Sequence, residues 1–216
     1  MKLINVIFEY TGIILIFINA LLYLIGYKRY KNVLAYKYFS WYLFISFIVS
    51  FTAFVYAKFK ITNLHFSHAY FISQFLLLSL FYRSLFKSNQ KKYLVIIMVL
   101  VTLILAIQYA LKPSLLYQFN LFEIFITSFP IVVYAAIHLY NSLNTVYVYS
   151  LINAGVLIYI TSSTLIFILG NYISYEDMNS DIKRNIYLIN KILYVVYLTL
   201  ILIQWKTSFR PVKSKS

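Results

Sequence analysis

The chain has 216 residues, 62% hydrophobic and 11% charged, with a formal net charge of +14. Soluble domains sit near half apolar and a quarter charged, and their cores cannot hide this much apolar side chain. The composition therefore excludes an ordinary soluble fold, and the absence of cysteine excludes disulfides, thiolate catalysis and thiolate metal sites.

Seven apolar stretches follow in chain order, each near the ~20 residues a helix needs to cross a bilayer. The sequence predicts spans over residues 4–26, 38–57, 67–86, 93–111, 119–140, 148–173 and 186–205. The start, Met1-Lys2 followed by a long apolar run without a small-residue cleavage site, reads as a retained first helix. A barrel would show alternating segments of roughly ten residues, and these runs are longer and apolar all round. The expected fold is all-α: one seven-helix transmembrane domain over residues 1–205, then a short basic tail over 206–216.

Lys and Arg set the expected orientation. Loop 1–2 (Lys28, Arg29, Lys31, Lys37), loop 3–4 (Arg83, Lys87, Lys91, Lys92) and the tail (Lys206, Arg210, Lys213, Lys215) hold twelve on one side. The other side holds six: Lys2, Lys58, Lys60, Lys112, Lys183 and Arg184. The positive-inside rule puts the N-terminus outside and the C-terminus in the cytoplasm. Because the positive residues fall between apolar runs, the charge points to the lipid bilayer and not to nucleic acid. A multi-pass cell-membrane protein is expected, of the bacterial inner-membrane kind.

Ionisable residues inside a span are costly and informative. Glu9, Glu123 and Lys191 each lie about four or five residues below the outer end of their helix, roughly 6–8 Å at the α-helical rise. Polar residues at three- and four-residue spacing share a helix face with them. Asn120, Glu123, Thr127, Pro130, Tyr134 and His138 form one stripe; Tyr187, Asn190, Lys191, Tyr194 and Tyr197 form another; Ser67, Tyr70 and Gln74 a third. The expectation is an outward-opening pocket in which Lys191 sits between Glu9 and Glu123, with Gln74, Asn190, Tyr194 and Tyr70 supplying hydrogen bonds. The alternative for the same residues is snorkelling to the interface or structural bonding between helices.

Other signals are weaker. His65 and His68 are three apart, but no local Asp, Glu or Cys completes a metal site, so none is expected. His138 reads as a satisfied interfacial residue. The stretch Asp177–Asp181 starts like a calcium loop, but Ile182 and Leu188 stand where Gly and Glu are required. Pro130 is expected to kink the fifth helix, either as a tolerated membrane proline or as a hinge. No phosphate loop, nucleophile elbow or metalloprotease motif is present, so neither an enzyme nor a cofactor is expected.

The stretch Ser73-Gln74-Phe75-Leu76-Leu77-Leu78, with Phe81-Tyr82-Arg83 behind it, resembles the compact seven-helix sensory modules attached to, or encoded beside, bacterial sensor kinases. That resemblance implies signalling to a separate protein partner. A lysine on helix 7 also resembles microbial rhodopsins, but helix 3 has no acid to serve as counterion. Phe8-Glu9 and Phe122-Glu123, with Asn5 and Asn120 before them, resemble the repeat partners of a three-one-three sugar-transporter arrangement, whose Pro-Gln signature is absent. The expectation is a sensory or accessory module for a small polar or ionic ligand. The alternatives are a small secondary transporter or proton-coupled permease, and a structural membrane subunit.

Overall fold

The computed structural model describes residues 2–143, 148–175 and 180–210, with side chains for all of these but residues 2 and 171–183. The acids Glu176 and Asp177 and the tail from Pro211 lie outside the described residues, as does the Asp181 side chain. Seven helices are long and apolar enough to cross a membrane, and no strand occurs among the described residues.

The helices are α1 (Lys2–Tyr30), α2 (Leu34–Lys58), α3 (Leu64–Leu85), α4 (Ser88–Leu111), α5 (Leu121–Ser142), α6 (Ser150–Tyr175) and α7 (Ser180–Gln204). Several outrun the predicted spans. The apolar runs mark the part that lipid must cover, whereas backbone hydrogen bonding carries a helix on into the interface until a cap stops it. Thus α1 continues through Lys28 and Arg29, whose charges favour the negative end of the helix dipole. At the end of α2, Lys60 takes a left-handed φ of 58°. The Lys60 N–H then reaches the Ala57 carbonyl at 3.1 Å and the Ile61 N–H that of Tyr56 at 3.0 Å. A 3-10 turn, Pro113–Tyr117, follows α4, and a π-turn, Trp205–Phe209, ends α7; neither was legible in the hydropathy. Helix α5 runs unbroken through Pro130.

Six helices close a ring. Each of α1–α2, α2–α3, α3–α5, α5–α6, α6–α7 and α7–α1 is a packed interface, while α4 lies outside and, among the described residues, touches the ring through α3 and α5. The ring has two halves. Carrying α1, α2 and α3 onto α5, α6 and α7 maps every interface onto another of closely similar extent. Buried positions repeat in the same sense. Gln74, Phe75 and Leu78 of α3 match Tyr197, Leu198 and Ile201 of α7, and Ile16 and Ala20 of α1 match Ile131 and Ala135 of α5. In the α3–α7 register His68 corresponds to Lys191.

The end of the ring nearest the C-terminus is packed with aromatic rings. Tyr23, Tyr36, Phe39 and Phe81 are fully buried, and Phe209 of the π-turn lies against Tyr23, Tyr30, Tyr36 and Tyr149 at centroid distances of 5.0–5.9 Å. Burial, with Tyr36 and Tyr30 nearby, raises the pKa of the Tyr149 hydroxyl, so it stays neutral. Gly26 is required here: a Cβ would stand 2.1 Å from the Tyr36 hydroxyl oxygen.

Candidate functional site

Every in-span acid and the lysine lie at the opposite end of the ring, where α1, α3, α5 and α7 begin. The expected triad divides into two clusters. Lys191 Nζ donates to Glu9 Oε2 at 2.8 Å and reaches the Asn5 carbonyl at 3.5 Å. Lys58 stands 3.8 Å from the other Glu9 oxygen, with its ammonium over the rings of Tyr10 and Phe54. These groups are about a third to a half exposed. Glu9 and Lys191 line a cavity of about 350 Å³ between α1, α2 and α7, together with Gly12, Ser50, Asn63 and Tyr194.

Glu123 does not join them, and no ion pair links it to Lys191 among the described residues. The reason lies in the ring: α5 packs against α3 and α6, while α7 meets α1. Asn120 caps α5, its side chain accepting the Glu123 N–H at 3.2 Å, and this fixes Glu123 one turn inside the helix. The carboxyl is fully buried. Its Oε2 stands 2.5 Å from His68 Nδ1 of α3 and accepts the Tyr109 hydroxyl of α4. Tyr109 also lies 2.9 Å from His68 Nδ1, and Asn120 Nδ2 reaches Gln108 at 3.1 Å and Tyr109 at 3.3 Å. His68 thus has the carboxylate its own neighbourhood in sequence lacked, contributed by a residue 55 positions away. No group of three metal-ligating side chains occurs among the described residues.

A second cavity, of about 300 Å³, opens inside the ring between α2, α3, α5 and α6. No charged side chain lines it among the described residues. Its walls carry Phe66, Phe71, Phe119 and Phe167, and its polar residues include Ser50, Ser67, Tyr70, Gln74, Tyr159 and Ser163. Gln74 Nε2 donates to Tyr70 at 3.2 Å and towards Tyr42 at 3.4 Å; Tyr42 in turn accepts from Tyr197 at 3.1 Å. The Tyr197 ring stacks on Tyr159 at 5.1 Å. The two cavities share Ser50, Ala53 and Asn63 as wall residues.

Of the residues expected to bind ligand, Gln74 and Tyr70 face the uncharged cavity, and Glu9, Lys191 and Tyr194 face the charged one. Glu123 lines neither, and nor does Asn190, which is half-buried with its Oδ1 lacking a hydrogen bond. Sequence reasoning missed Tyr109, Gln108, Tyr42 and Tyr159. Only Gln108-Tyr109, a polar pair near the end of the most apolar helix, gave a signal that could have been followed. No family model, no curated protein and no solved structure matches the chain.

Proposed function

We propose that the protein is a multi-pass membrane module that binds a small ligand at the end of the ring where α3 begins, and signals the bound state to a separate protein. The observation that carries this reading is the asymmetry of the ring. One end holds two adjoining cavities with convergent hydroxyl, amide and charged groups; the other is packed with aromatic rings. Such a concave, largely apolar site with a few placed polar groups is the usual form of a small-molecule site. The twelve-to-six split of Lys and Arg supports an outward-facing site, with the N-terminus outside and the C-terminus in the cytoplasm.

Phe209 supports the signalling part, because it ties the end of α7 to α1 and α2 through Tyr23, Tyr30 and Tyr36. A ligand that favours one packing of α7 over another shifts that end of the bundle by its difference in affinity for the two. The second reading, a small carrier, is favoured by the two equivalent halves around a central cavity, an arrangement shared with transporters built from parallel repeats.

The test is a thermal-shift screen of the purified full chain against small polar and amphipathic molecules, repeated with Gln74→Leu and Tyr70→Phe. Hits that these variants weaken support the site. A screen in which no compound stabilises the wild type, or in which hits bind these two variants and Lys191→Met unchanged, overturns it. Flux of a hit into sealed proteoliposomes separates carrier from sensor.

A further inference from the structure

The cluster of buried Glu123 and His68 with the half-buried Tyr109 belongs to neither cavity, and ligand binding leaves it without a role. Its geometry has a specific chemical content. Two donors, the Tyr109 O–H and the His68 Nδ1–H, converge on one carboxylate oxygen. The second oxygen, Glu123 Oε1, and the second ring nitrogen, His68 Nε2, are both buried without a hydrogen bond. With His68 neutral and Glu123 ionised, this arrangement holds one net negative charge sealed from water. One added proton, on Glu123 Oε1 or His68 Nε2, makes it neutral, and a buried uncompensated charge is what the interior of a membrane protein tolerates least.

We propose that Glu123, His68 and Tyr109 form a buried proton-binding site that takes up and releases one proton. The step is a simple proton transfer from the aqueous phase, with no bond between heavy atoms made or broken. Among the described residues the neighbouring elements supply no competing charge. From α3 comes only His68, since His65 is exposed and packs beside the Tyr56 ring. From α4 come Tyr109 and Gln108, with Lys112 exposed beyond the helix end. From α5 come Asn120 and Thr127; the 3-10 turn carries no charged residue, and neither does α6 over residues 150–170.

The twofold arrangement of the ring sharpens the assignment. His68 corresponds to Lys191, and each pairs with a glutamate across an interface between the halves. At the cavity the base is a lysine, paired with Glu9. At the buried position it is a histidine, the side chain suited to gaining and losing a proton near neutrality. The proton is felt directly by α4, because Tyr109 shares the oxygen that changes charge. The proposal is independent of which ligand, if any, enters the cavities.

The chain has three glutamates and three histidines, so the experiment resolves single residues. Full-length protein labelled with 13C-carboxyl glutamate is titrated in lipid nanodiscs and followed by infrared spectroscopy. The expected result is a titrating component of the protonated-carboxyl signal that Glu9→Gln keeps and Glu123→Gln loses. In His68→Gln its midpoint moves by one pH unit or more. A carboxyl titration that Glu123→Gln leaves unchanged overturns the proposal, and so does a wild type in which neither that component nor the ring resonances of 15N-labelled His68 titrate over the folded pH range. If Glu123→Gln does not fold, wild-type protein labelled with 15N-histidine decides: the His68 ring resonances must move in the same titration, and their constancy overturns it.

Discussion

His68 Nδ1 lies 2.5 Å from Glu123 Oε2, and the two side chains are almost wholly buried at the junction of α3 and α5. Removing one partner of such a pair strands the other in a medium that cannot solvate it, at a cost of about 3–5 kcal/mol. Glu123→Leu and His68→Leu are each expected to destabilise the bundle by that order. The double variant restores much of the loss, since both polar groups then leave together. Unfolding of the reconstituted protein, measured for the four members of the cycle, gives the coupling directly. Additive losses would contradict the pairing.

Glu9 and Lys191 make the same kind of pair with a different consequence. Their side chains are 35% and 32% exposed, so water already screens the interaction. Glu9→Gln and Lys191→Met are expected to change stability by no more than about 1 kcal/mol. Their effect should fall on ligands instead. Any compound found to bind the charged cavity loses affinity in Lys191→Met, while one held only by the uncharged cavity does not. Titration calorimetry on the two variants separates these outcomes.

Gly26 leaves no room for a methyl group beside Tyr36. Overpacking of this sort costs about 1–3 kcal/mol. Gly26→Ala is expected to lower the melting temperature, because Tyr36 is fully buried and its hydroxyl is held by the Tyr23 carbonyl at 3.0 Å. Tyr36→Phe removes the clashing oxygen along with one hydrogen bond. Gly26→Ala combined with Tyr36→Phe should therefore be more stable than Gly26→Ala alone, as a melting series would show.

Phe209 fastens the end of the chain to the aromatic packing. Phe209→Ala removes a buried ring that touches four tyrosines, and about 3–5 kcal/mol is the usual cost of that truncation in a core. Limited proteolysis should cut Phe209→Ala after Trp205 or Lys206 faster than the wild type. Equal rates would show that the π-turn is held by something else.

Orientation can be read without background, since the native chain has no cysteine. Lys60→Cys is expected to react with an impermeant maleimide added outside intact cells, and Lys31→Cys only after the membrane is opened. The reverse pattern would invert the topology argued from the Lys and Arg distribution.

By itself the sequence determined seven helices, because length and hydropathy report what each segment must do in lipid, and lipid leaves the backbone no choice but to bond within itself. It led us to expect Glu9, Glu123 and Lys191 at one level, but the apolar runs do not mark the helix ends: α1, α5 and α7 begin at Lys2, Leu121 and Ser180, at different distances in sequence from these residues. What it could not determine was partnership. Lys191 faces Glu9 and not Glu123 because α7 closes the ring on α1 while α5 lies against α3. His68 finds its acid for the same reason. Which helices adjoin is decided by side-chain fit along whole helix faces, such as Tyr197 on Tyr159 and Gln74 beneath Tyr42, and such fit has no signature in the local pattern of any one helix.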